Sequence, residues 1–152
     1  MTTHETVRAL PADDEWFDLE VNNNIDPIDM VISAGHDVKV WKYAGPQLSG
    51  KRILRVKLVR LGILIRDIED ARKRAGWIGC RLIEGQASEP FKAKFSQPDD
   101  NDLVIFGGSE WQSLFFNANV AFLSSLECEW HSGFFWSEGS FGSNDRWLVA
   151  AK

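Results

Sequence analysis

Only two cysteines, Cys80 and Cys128, occur in 152 residues, and they do not form a C-x-x-C pair. A disulfide framework is therefore excluded as the basis of the fold; both are expected as buried thiols in a reducing, cytoplasmic compartment. Long apolar runs are also lacking. Runs such as Gly62 to Ile65 and Val120 to Leu123 fall far short of the ~20 residues that a membrane-spanning helix needs, so no membrane partner is expected. The start, MTTHETVRALPADDEW, has neither the basic nor the apolar region of a secretory signal.

What is abundant is aromatic. Seven tryptophans and ten phenylalanines accompany 44% hydrophobic and 26% charged residues, the balance of one globular domain and the opposite of a disordered chain. They concentrate between Leu103 and Val149, where Phe106, Trp111, Phe115, Phe116, Phe122, Trp130, Phe134, Phe135, Trp136, Phe141 and Trp147 stand between glycines and serines. Rings suit a pleated, half-buried surface, so this stretch reads as the sheet core.

Charge is distributed unevenly. Residues 1–37, 38–94 and 95–152 carry -8, +9 and -6, giving the net -5. A basic middle between acidic flanks fits either an anion-binding face or internal charge pairing.

In chain order, residues 1–15 read as a flexible acidic lead-in, and 16–152 as a single globular domain. Trp16, Leu19 and Val21 begin an apolar signal that ends in the Asn22–Pro27 turn; Ile28–Ile32 suits a short strand or a turn of helix. The alternations VKVWKY (38–43) and ILRVKLVRL (53–61) predict an antiparallel hairpin, with Leu54, Val56 and Leu58 facing inward. RDIEDARKRAG (66–76) predicts a helix with Asp67 at its start, Ile68, Ala71 and Ala75 inward and Gly76 as its stop. Ser88 and Pro90 open a second, docked by Phe91 and Phe95. Val120–Trp130, Gly133–Trp136 and Arg146–Ala150 are strand candidates. The expected class is α+β, a mostly antiparallel sheet with two short helices in the middle of the chain.

Several groupings invite chemistry. Glu127, Glu129 and His131 alternate and would share one face of a strand, as a hydrolase or metal site requires, although the same pattern is ordinary solvent-facing polarity around inward Cys128 and Trp130. Cys128 and His131 lack a second ligand pair for zinc. Asp99, Asp100 and Asp102 miss the EF-hand order, Gly107–Ser109 is not followed by the Lys of a phosphate loop, and His36 beside Asp37 suits a turn. No cofactor or metal is implied. Lys39, Trp41, Arg55 and Lys57 on the predicted hairpin would form a nucleic-acid platform, stacking bases while neutralising phosphates.

The segments GGSEW (107–111), FFW (134–136) and RWLV (146–149) resemble the Gly-rich, Trp-rich ending of C-type-lectin-like and formylglycine-generating-enzyme-like domains. The resemblance implies a ligand-presenting sheet-and-loop scaffold. Cys80 and Cys128 do not match that family's disulfides or reactive cysteine pair, so its activities do not carry over. The expected function is a non-enzymatic binding or protein-interaction domain that offers Trp111, Phe135, Trp136 and Phe141 to a protein or small-ligand partner. The nucleic-acid platform is the alternative, and the Glu127, Glu129, His131 site the second.

Overall fold

The computed structural model describes residues 9–113, 118–136 and 138–152. Phe115 and Phe116 lie outside the described residues, as does the lead-in up to residue 8.

Among the described residues eight strands make one mixed sheet, accompanied by three α-helices: β1 (Phe17–Asn22), α1 (Ile28–Ser33), β2 (Lys42–Tyr43), β3 (Lys51–Val59), α2 (Ile68–Trp77), β4 (Cys80–Leu82), α3 (Ser88–Lys94), β5 (Leu103–Gln112), β6 (Asn119–Leu126), β7 (Glu129–Trp136) and β8 (Arg146–Ala151). The main path runs β1-β3-β8-β5-β6-β7, with β4 also on β8 and β2 on β5. The architecture is α+β, but the sheet is not purely antiparallel, because β8 returns between β3 and β5 and runs parallel to β5 through Val104↔Arg146 and Ile105↔Trp147. Among the described residues no helix is long and apolar enough to cross a membrane.

The central strands bury both faces. Along β8, Leu148 and Ala150 join a core with Phe91, Phe95 and Phe106 beneath α3, while Trp147 and Val149 join Ile68, Ala71 and Ala75 of α2 on the other side. Successive side chains of a strand point to opposite faces, so a four-residue apolar run such as WLVA marks a strand covered twice.

Leu54, Val56 and Leu58 are buried as their alternation predicts. Their neighbours differ from the expected hairpin. Strand β3 pairs with β1 over Phe17↔Val56 to Asn22↔Lys51, and with β8, whereas VKVWKY supplies only the two residues of β2, paired with β5. Phe17, Leu19 and Val21 form a longer matching apolar face for β3, and Val38–Val40 instead winds into a 3-10 turn whose Lys39 N–H is accepted by the Asp37 carboxylate at 3.0 Å.

Helix α2 forms as predicted: the Asp67 carboxylate accepts the Asp70 N–H at 2.8 Å, a cap that satisfies an otherwise orphaned donor. It continues through Gly76 to Trp77, and Gly79 at φ +73° takes the left-handed position beyond. Phe91 and Phe95 dock α3 and are fully buried, but Ser88 does not cap it. A 3-10 turn over Gly85–Ala87 precedes the helix and draws the Ser88 hydroxyl into the interior, where it has no hydrogen-bond partner among the described residues. Ile28–Ile32, ambiguous by pattern, lies in helix α1.

The stretch Val120–Trp130 is not one strand. Glu127 and Cys128 adopt φ +54° and +62°, and the chain reverses there into the β6/β7 hairpin with Leu126 opposite Glu129. Two consecutive left-handed residues are the backbone of a two-residue type I′ turn.

Candidate functional site

The predicted aromatic residues divide between core and surface. Trp111 is fully buried: its Nε1–H donates to the Pro27 carbonyl at 3.2 Å, and its ring packs against Tyr43 and Phe134, each with centroids 5.1 Å away. This corrects its expected exposure, since strand alternation on β5 turns Trp111 inward, under β2 and α1. Phe141 is also buried, edge-on to Trp147 at 4.9 Å. A short backbone bridge holds it there, with Phe141 N–H donating to Ile65 O at 2.8 Å and Ile65 N–H to Phe141 O at 3.3 Å.

Phe135 and Trp136 remain at the surface. Phe135 is half-buried and stacks on Phe122 with centroids 4.0 Å apart; Trp136, at the end of β7, is 43% exposed. Phe135, Trp136 and Phe141 line one cleft of about 380 Å³ with Leu103 and the turn residues Gly139, Ser140 and Asp145. The cleft exists because β7 ends at Trp136 and the chain must turn back to begin β8. Gly139 N–H donates to Trp136 O at 3.0 Å, and the Asp145 carboxylate accepts the Gly142 N–H at 2.8 Å, so both sides of the turn are fixed locally. Phe141 forms part of the floor, meeting Phe135 nearly edge-on at 6.1 Å and 76°.

A polar recess of about 330 Å³ adjoins it, sharing Leu103 and Asp145 and lined by Arg60, Asp102, Asn144 and Arg146. Its charges are largely committed to each other. Asp13 accepts from Arg60 Nε at 2.9 Å and lies 3.4 Å from Arg146 Nε, while Arg60 Nη1 donates to Asn144 Oδ1 at 3.1 Å. Burial pushes the Asp102 carboxyl above the usual carboxylate range, against the pull of Arg146 and the Asp99 N–H. Asp13 ties residues 9–15 to the sheet, and Pro11 is buried there; the acidic composition of the lead-in hid this role.

The nucleic-acid residues do not meet as predicted. With β1 as the neighbour of β3, Arg55 faces Asp18 and pairs with it at 3.1 Å. Lys57 pairs with Asp14 at 3.3 Å and lies 4.7 Å from the Trp16 ring centre. Lys39 belongs to the 3-10 turn, and Trp41 packs on His36 and Phe134 at 4.6 and 4.8 Å.

The hydrolase or metal alternative loses its shared face. Glu127 sits in the hairpin turn, while Glu129 and His131 lie on β7 opposite Leu126 and Ser124. Among the described residues no three His, Cys, Asp or Glu side chains are grouped to hold a metal ion. Cys128 is exposed rather than buried, because it occupies the turn and not the strand; Cys80 is buried as expected, and both are free thiols. Trp130 is half-buried, and its indole N–H donates to the Phe95 carbonyl at 2.6 Å.

Pattern reasoning missed one surface altogether: Ile63, Leu64 and Trp77 are 68%, 77% and 77% exposed. The signal was available, since a helix that buries Ile68, Ala71 and Ala75 turns residue 77 away from the core. Comparison with protein-family models, with curated proteins and with solved structures returns no match for this chain.

Proposed function

We propose that the chain is a non-enzymatic binding or protein-interaction domain whose ligand enters the cleft lined by Phe135, Trp136 and Phe141. The observation that carries this reading is an accessible aromatic cleft of about 380 Å³ at the end of β7, whose flanking turn is held by its own hydrogen bonds. A small concave site with apolar walls and a few fixed polar groups suits a flat apolar or aromatic group, either a free molecule or a side chain of a partner. The adjoining Arg60, Arg146 and Asp13 charges satisfy one another, which supports binding over chemistry. A sheet that presents its ligand through loops is also what the resemblance of the GGSEW, FFW and RWLV segments implies.

The reading is tested by titrating indole and naphthol into the labelled protein and following backbone amide signals. Shifts centred on Gly139, Ser140 and Asp145, abolished by the cleft-filling substitution Ser140→Trp, are expected. Shifts scattered over the surface, or unchanged in Ser140→Trp, would rule the cleft out.

A further inference from the structure

Asp145 lines both the aromatic cleft and the polar recess beside it. Its Oδ2 accepts the Gly142 N–H at 2.8 Å, which anchors the carboxylate to the turn and leaves Oδ1 without a donor among the described residues. Asp102, on the recess wall, is held in a similar way, its Oδ2 accepting the Asp99 N–H at 3.0 Å. Among the described residues neither carboxylate forms an ion pair, since the two arginines of the recess are held by a third acid: Asp13 lies 2.9 Å from Arg60 Nε and 3.4 Å from Arg146 Nε. The turn itself, EGSFGSND over residues 138–145, carries two acids and no base.

The other walls of the cleft are rings, and the face of an aromatic ring is negative, so it attracts a cation that approaches within about 6 Å of its centre. A neutral flat ligand would fill the space between Phe135, Trp136 and Phe141 and leave Asp145 unused. An anion would be set against Asp145, while the nearest arginines are already engaged by Asp13. A cation uses the aromatic and the acidic walls together. The recess favours the same sign: burial holds the Asp102 carboxyl above its usual range, and a positive charge arriving beside it stabilises the ionised form.

We propose that the ligand of this cleft is an aromatic organic cation, whose ring rests among Phe135, Trp136 and Phe141 and whose ammonium or guanidinium group, carried on a short chain, is received by Asp145. The inference rests on the cleft being the binding site and adds the sign and the place of the ligand's charge. The two cavities, of about 380 and 330 Å³, share Leu103 and Asp145, so a ring in the first brings a short substituent to the carboxylate and toward Asp102. Hydrogen bonds from a cationic donor to a carboxylate are charge-assisted and stronger than neutral ones. A free arylalkylamine offers this chemistry, and so does an aromatic side chain beside a lysine of a partner protein.

Three indoles of similar shape and different charge test it. Tryptamine, tryptophol and indole-3-propionate, which are cationic, neutral and anionic at neutral pH, are titrated into the full chain while the Gly139, Ser140 and Asp145 amide signals are followed. Tryptamine should bind at least ~10-fold more tightly than tryptophol, as a hydrogen bond to a charged group provides, and indole-3-propionate more weakly than either. Asp145→Asn keeps an acceptor for the Gly142 N–H and should bring tryptamine down to the level of tryptophol, and added salt should narrow the same gap in the wild type. Acetyl-Lys-Trp-amide, with ring and charge on one peptide, separates the two sources: binding tighter than tryptamine and lost in Asp145→Asn assigns the cation to a partner protein, and weaker binding assigns it to a free amine. Equal affinities for tryptamine and tryptophol, a preference for the anion, or a preference for tryptamine that survives Asp145→Asn would overturn the proposal and leave the cleft as the binding site. No shift at Gly139, Ser140 and Asp145 with any of the three indoles would instead overturn the cleft itself.

Discussion

The outer edge of the Trp111 indole stands 2.5 Å from where a Cβ on Gly85 would lie. A side chain and a backbone therefore occupy adjoining space with no room for a methyl group, and the Gly85 N–H uses that closeness to donate to the buried Ser109 hydroxyl at 2.8 Å. Gly85→Ala should destabilise the fold by about 1–3 kcal/mol, the usual cost of overpacking. Trp111→Phe should also destabilise, since it removes buried volume and the hydrogen bond to Pro27. The double variant should be more stable than the sum of the two losses predicts, because the added methyl enters vacated space; a coupling of roughly 0.5–3 kcal/mol is expected. Denaturant midpoints of the four proteins measure it, and strict additivity would show that Trp111 does not set the limit at Gly85.

The β6/β7 hairpin turns on Glu127 and Cys128, both left-handed, although Asn and Gly are the residues that adopt this backbone with least strain. Glu127→Asn combined with Cys128→Gly should raise stability by about 0.5–1 kcal/mol, as relief of left-handed strain outweighs the added freedom of glycine in the unfolded chain. Cys128→Val should lower it. Thermal unfolding of the three proteins decides, and a loss of stability in the Asn-Gly variant would contradict the turn type.

These two features show where the sequence can be read and where it cannot. Elements governed by local patterns were legible: Asp67 starts α2, Leu54, Val56 and Leu58 face inward, and Phe91 and Phe95 dock α3. Pairing between distant segments was not. VKVWKY and ILRVKLVRL alternate equally well, and only the competing face of Phe17, Leu19 and Val21 decides that β3 joins β1. The same limit applied to the rings. Composition located an aromatic sheet, but which rings reach the surface depends on where a strand ends, so Phe135 and Trp136 were distinguished from Trp111 and Phe141 only by the turn after β7. The turn at Glu127–Cys128 escaped notice because it lacks the glycine or asparagine that signals such a reversal.

The two thiols should differ sharply in reactivity. Cys128 is exposed on its turn, whereas Cys80 is 3% exposed, with its Sγ 3.6 Å from the Ile78 carbonyl. A disulfide reagent should modify one equivalent promptly in the native protein and the second only after denaturation; Cys128→Ser should abolish the prompt phase and Cys80→Ser should spare it. Two equivalents reacting at equal rates in the native state would mean that β4 does not seal Cys80.

Two carboxyls should give stability opposite pH dependences. Asp70 accepts the Arg66 N–H at 3.0 Å and is held below the usual carboxylate range first by that bond and then by Arg74, despite the opposing effect of burial. Its folded-state pKa being lowered, Asp70 contributes stability above the ordinary carboxylate value and loses it as pH falls through the folded one. The deficit of Asp70→Asn should therefore be greatest at neutral pH and shrink in acid. Asp102 is raised, chiefly by burial, so its contribution is present below the ordinary value and lost as pH rises through the folded one. Asp102→Asn keeps an acceptor for the Asp99 N–H, which the carboxylate now receives at 3.0 Å, and removes the buried charge. It should match or exceed the wild type at neutral pH and lose that advantage in acid. Denaturant midpoints from neutrality down through the carboxylate range measure both differences, and curves that shift in the same direction for the two variants would refute the assignment of burial to Asp102 and hydrogen bonding to Asp70.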